Sequence, residues 1–182
     1  MLQFLTSHET VVPLVLVAVV AASLLAGPVG RRTGRPRWST GLLLLACLLP
    51  LALTVGPRLP LDLEAGHGCV SYVRPYRWWG QGGEEVANAL LLLPVGVLAP
   101  LLLGPRRAVP LLVAAAGFPW AVELTQYLLP WLGRECDLTD VLLNGAGLVV
   151  GATVGIGLAL LRRGLSPAGP APGPRRSVSP GT

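Results

Sequence analysis

The chain is predicted to be an all-α, polytopic membrane helix bundle of five transmembrane helices, with its N-terminus out and its C-terminus in. Three observations carry that expectation. Hydrophobic residues make up 52% of the 182 residues and charged ones 13%, far too apolar for a soluble globule of this length. Five runs, at residues 11–29, 40–55, 86–103, 108–131 and 138–161, reach or approach the roughly 20 apolar residues that a hydrocarbon core demands. The third is the sorting of charge, in which every basic residue is arginine. Arg31, Arg32, Arg35 and Arg37 follow the first run, Arg106 and Arg107 separate the third from the fourth, and Arg162, Arg163, Arg175 and Arg176 follow the last. The alternate segments hold Glu9, Asp62, Glu64, Glu84, Glu85, Glu135 and Asp137, with only Arg58, Arg74, Arg77 and Arg134 against them. The positive-inside rule puts the arginine-rich segments in the cytoplasm, which requires an odd number of crossings.

Each element follows from its local residues. No Lys or Arg precedes the first run and four Arg follow it, so it reads as a retained helix rather than a cleaved signal peptide. The second run is the shortest and contains Pro50; it could be re-entrant, but the charge pattern argues that it crosses. An outer loop at 56–85 mixes Pro and Gly with Tyr72, Tyr76, Trp78 and Trp79. Such aromatics suit the headgroup level, with sugar or ligand stacking as the alternative. The segment 162–182 is dense in Pro, Gly, Ser and Ala and is expected to be a disordered cytoplasmic tail. The chain thus divides into a two-helix N-terminal segment (1–85), a three-helix core (86–161) and the tail. No internal repeat of the inverted-repeat transporter kind is visible.

The net charge of +5 does not indicate nucleic-acid binding, because the arginines flank apolar runs and form no basic face interleaved with aromatics. Cys47 lies within an apolar run, where packing is the expected role. Cys69 and Cys136 both fall in segments assigned to the oxidising outer side, and a Cys69–Cys136 disulfide is expected to pin the outer loop to the turn before the last helix. Two unpaired thiols are the alternative. Zinc spacing is absent, so neither a metal nor any other cofactor is expected.

The residues that point to function are polar groups inside the last spans. Asp137, Asp140, Asn144, Gly147, Gly151 and Gly155 recur at steps of three and four, one helical face. Carboxylates and amides in a membrane helix are costly and face the protein interior or a wet cavity. The fourth run adds Glu123 and Gln126, the third adds Asn88, and Arg134 in the connecting turn is the natural ion partner. At about 1.5 Å rise per residue, Glu123 is expected about 12 Å below the outer end of its run and Asn144 about 9 Å below the start of the next, at similar depth. The glycines form the small-residue face on which another helix can pack closely.

These residues resemble the VanZ-like family of bacterial membrane proteins. Asn88 with its apolar run to Pro94 and Gly96 (NALLLLPVG) looks like the family's first motif, and Glu123-Leu-Thr-Gln126 resembles its Glu-x-x-Gln. Gly133 to Asn144 (GRECDLTDVLLN), with Gly147 and Gly151, is similar to its pattern of an Arg, spaced acids, Leu-Leu-Asn and glycines. Gly145 stands where Thr is common in the family and Thr139 where an acid is frequent. The motifs cover roughly 86–161. The resemblance implies a part in low-level resistance to teicoplanin, a lipoglycopeptide acting at the outer cell surface.

The expected function is therefore a non-enzymatic envelope factor whose outward polar pocket, built from Asn88, Glu123, Gln126, Arg134, Asp137, Asp140 and Asn144, takes a lipid headgroup or lipid-linked cell-wall intermediate. Its partners would be membrane lipids and, through that surface, lipoglycopeptides. An intramembrane enzyme with Glu123 and Asp140 as acid and base is the alternative, though no nucleophile elbow or embedded His cluster accompanies them. A small carrier is the third class; it needs carboxylates in series across the bilayer, and the inner halves of the runs carry none.

Overall fold

A computed structural model describes residues 2–55, 69–70, 83–129 and 136–165. The aromatic residues of the outer loop, His67, Arg134 and the tail from residue 166 lie outside the described residues. Among the described residues six helices make the bundle: α1 (Leu2–Thr33), α2 (Arg37–Val55), α3 (Gly83–Leu91), α4 (Leu93–Leu103), α5 (Pro105–Leu128) and α6 (Leu138–Leu165). Five stretches are long and apolar enough to cross a membrane, with α3 and α4 joining as the third span at Val86–Leu103. The chain is a multi-pass membrane protein whose outward-turned side chains, such as Leu24, Val113 and Val149, contact lipid.

Prolines and glycines set the element boundaries. Pro94 has no N–H to donate to the Leu90 carbonyl, so the third span breaks at Leu92 and restarts with the Gly96 N–H on the Leu92 carbonyl at 3.0 Å. A single residue, Gly104, with a φ of 84°, turns α4 into α5, a conformation that glycine adopts without steric cost. Pro105 then opens α5 at the position where a missing N–H is harmless. That helix begins and ends three residues earlier than the expected 108–131, because Gly104-Pro105 start it and Pro130 disfavours helical geometry at Leu129.

The packing is governed by small residues. The α3–α4 span and α6 lie side by side, and a Cβ added at Gly147, Gly151 or Gly155 would run into the carbonyl oxygens of Ala89, Leu93 and Val97 respectively. Both series advance four residues at a time in the same direction, so the third and fifth spans run parallel. Gly96 answers from the other side, where a Cβ would come within 2.6 Å of the Leu148 carbonyl oxygen. At this distance Cα–H groups face carbonyls, a contact typical of close helix pairs in lipid. Helix α5 returns between them, antiparallel, and packs on both α4 and α6. The apolar core is Ala46, Leu92, Val95, Ala115 and Leu148. On the far side α1 packs against α2 through Ala18, Ala22 and Ala26, each 3% exposed. This second small-residue stripe was passed over in the sequence, where it is hidden within a uniformly apolar run.

One piece of β structure was not anticipated. Cys69–Val70 (β1) and Cys136–Asp137 (β2) form a two-residue parallel pair, with Cys69 opposite Cys136 and Val70 opposite Asp137.

Candidate functional site

Glu123, Asp137 and Asp140 lie at one end of α5 and α6, and the first organising contact there is Glu123. Its carboxylate Oε2 accepts the backbone N–H of Asp137 at 2.7 Å, although Glu123 is only 5% exposed. A charge-assisted bond to a backbone amide is stronger than a neutral one. Gln126, one turn further along α5, is buried beside it on the same face. Asp137 caps α6, its Oδ1 accepting the N–H of Thr139 at 2.8 Å, as an N-terminal carboxylate should.

The cysteines brace this contact. Cys69 and Cys136 stand at disulfide distance, their Cα atoms 4.5 Å apart and 67 residues apart in sequence, and Cys136 is the residue before the Asp137 N–H that Glu123 holds. A chain denatured without reductant should therefore react with maleimide at Cys47 alone, and at all three cysteines after reduction. Mass spectrometry counts the adducts; three before reduction would remove the bridge.

The expected common depth of Glu123 and Asn144 is not what the structure has. Because the segment before α6 reaches back to Glu123, that residue is level with Asp137, and Asn144 lies about 10 Å deeper along α6. The polar groups form two tiers. The upper holds Glu123, Gln126, Asp137 and the half-buried Asp140. In the lower, Asn144 is 6% exposed and donates through Nδ2 to the Asp140 carbonyl at 2.8 Å. Its Oδ1, and the Thr139 hydroxyl above, have no hydrogen-bond partner among the described residues. Asn88 is half-buried and precedes Ala89, whose carbonyl faces Gly147, so it sits within one turn of Asn144 in height. Thr139 is a polar residue of this region that the motif comparison marks only as a departure; its place at a helix start between Asp137 and Asp140 is the one signal of it in the sequence. No group of three or more His, Cys, Asp or Glu able to hold a metal occurs among the described residues.

The parallel third and fifth spans, bridged by an antiparallel fourth that carries the Glu-x-x-Gln, place the quoted motifs on one helix trio. A family model described as VanZ/LLP1 matches residues 39–162. The chain belongs to the VanZ/LLP1 family. The match takes in α2 as well as the helix trio, so the VanZ/LLP1 unit is wider than the three motifs alone suggest. No curated protein and no solved structure matches the chain.

Proposed function

We propose that this VanZ/LLP1 protein is a non-enzymatic factor of the bacterial envelope, with its N-terminus outside and C-terminus inside, so that the polar cluster opens to the outer surface. There it takes a lipid headgroup or a lipid-linked cell-wall intermediate and alters susceptibility to lipoglycopeptides of the teicoplanin type. The observation that carries this reading is the buried Glu123 carboxylate, tied to the Asp137 amide above an Asn144 side-chain oxygen that meets no donor among the described residues. Purely structural polar groups in a membrane are normally matched; an unmatched acceptor below an acidic tier is the composition of a site for a polyhydroxylated or amide-bearing headgroup. Arg134, which lies outside the described residues, is the candidate cation for a phosphate on the ground of its place in the sequence between Glu123 and Asp137.

A deletion strain tests the reading. Complementation with the native gene restores lipoglycopeptide susceptibility to its original level, whereas Asp140→Ala at equal membrane abundance does not. Equal restoration by both would refute it. Turnover of a purified lipid by the native chain, lost in Glu123→Gln, would instead favour the enzyme.

A further inference from the structure

At the end of the bundle opposite Glu123, a cleft of about 460 Å³ opens between the α1–α2 turn, the α4–α5 turn and the end of α6. Arg35, Arg107, Arg162 and Arg163 line it together with apolar residues including Leu101 and Leu103, and no Asp or Glu is among its walls within the described residues. We propose that this cleft binds the phosphate of an anionic phospholipid.

Charge is the first argument. The C-terminal ends of α1, α4 and α6 reach this face and each contributes about half a negative charge, while the starts of α2 and α5 each contribute about half a positive one. Even without Arg162, the guanidiniums of Arg35, Arg107 and Arg163 exceed what those helix ends can neutralise. Part of the arginine set is already fixed. Arg35 donates through Nη1 to the Leu102 carbonyl at 2.7 Å, which locks its head while leaving other N–H donors of the guanidinium. Arg163 lies on the α4–α5 turn, its Nη2 only 3.2 Å from where a Cβ of Gly104 would sit, so glycine there admits the side chain. Two arginines held from different elements make a preorganised fork for phosphate oxygens.

Location selects a lipid over a free anion. Arg107 sits in the first turn of its helix and Arg162 and Arg163 in the last turn of theirs, the depth at which arginines meet headgroups. Leu101, Leu103 and Ala159 add a smaller apolar part to a lining that is mainly polar, so the cleft takes the headgroup while the acyl chains stay in the bilayer beside it. Basic pockets between spans are the usual form of anionic headgroup sites. The site is independent of the acidic tier, Asp140 and Arg162 being about 33 Å apart along α6.

The test uses the full chain, delipidated in neutral detergent and titrated with phosphatidylglycerol or phosphatidylcholine while bound lipid is counted by native mass spectrometry. Phosphatidylglycerol should be retained preferentially, and Arg107→Gln/Arg163→Gln should weaken that preference roughly tenfold. Arg31→Gln/Arg32→Gln, the same loss of charge outside the cleft, should leave it intact. Equal loss in both double variants, no preference for phosphatidylglycerol, or full displacement of lipid by millimolar inorganic phosphate would each overturn the proposal. If the glutamine pair does not fold, Arg107→Lys/Arg163→Lys decides: the preference falls severalfold because the Arg163 half of the fork is gone, and an unchanged preference overturns the proposal.

Discussion

Gly147→Ala should lower the stability of the bundle by about 3 kcal/mol, at the upper end of overpacking costs. The added methyl would occupy the place of the Ala89 carbonyl oxygen, and what must yield is helix backbone rather than a side chain that can rotate away. Gly151→Ala meets the Leu93 carbonyl in the same way, so the two substitutions share one mechanism and, on a common rigid pair of helices, are not expected to add. Gly145 and Gly157 are the controls. A Cβ there meets nothing within 4 Å, and alanine at either should be neutral or stabilising by about 0.5–1 kcal/mol through helix propensity. Thermal unfolding of the purified variants in one detergent measures all four; equal shifts at Gly147 and Gly145 would mean that the third and fifth spans do not touch along this stripe.

Glu123→Ala should cost about 2 kcal/mol, the desolvation penalty of a buried amide deprived of its acceptor. The orphaned group is the Asp137 N–H. Glu123→Gln can keep an acceptor oxygen on the Asp137 N–H while its other oxygen becomes an NH2 group, so it should cost less, about 1 kcal/mol. The two variants therefore separate folding from function. Under the proposed function, Glu123→Gln reaches the membrane at normal abundance yet fails to restore the lipoglycopeptide phenotype, while Glu123→Ala is also depleted. A fully active Glu123→Gln would leave this carboxylate a purely structural role, that of holding the start of α6. Removal of the cysteine bridge acts on the same contact. Closing a 67-residue separation is worth up to about 4 kcal/mol in the chain-entropy picture, an upper bound here because inserted spans already restrict the unfolded chain.

What the sequence made legible was the part governed by length and charge. Five apolar runs become five spans because lipid leaves the backbone no alternative to helix, and even Pro50 stays inside α2. The glycine steps on α6 could be placed on one face from periodicity alone, but their partners could not. That Ala89, Leu93 and Val97 supply the opposing carbonyls depends on the break at Leu92, a tertiary outcome of Pro94 and close packing. The height of Glu123 was misjudged for a similar reason. Counting residues from helix ends assumes that the connecting segment stays at the surface, whereas β2 pairs with β1 and brings the Asp137 amide down to the carboxylate. The cleft at the arginine end was hidden because positive charge near spans is explained by topology alone; only the convergence of three segments on one cavity distinguishes it.

The central claim is that the acidic tier is wet and open to the outside, and cysteine accessibility tests it most directly. In a Cys47→Ala background, Asp140→Cys and Val149→Cys are exposed in intact cells to a membrane-impermeant thiol reagent. Val149 faces lipid and should stay unmodified, whereas Asp140→Cys should react from the outer side at a rate comparable to an aqueous loop. An Asp140→Cys thiol as inert as that at Val149, or one modified only from the cytoplasmic side, would contradict the account.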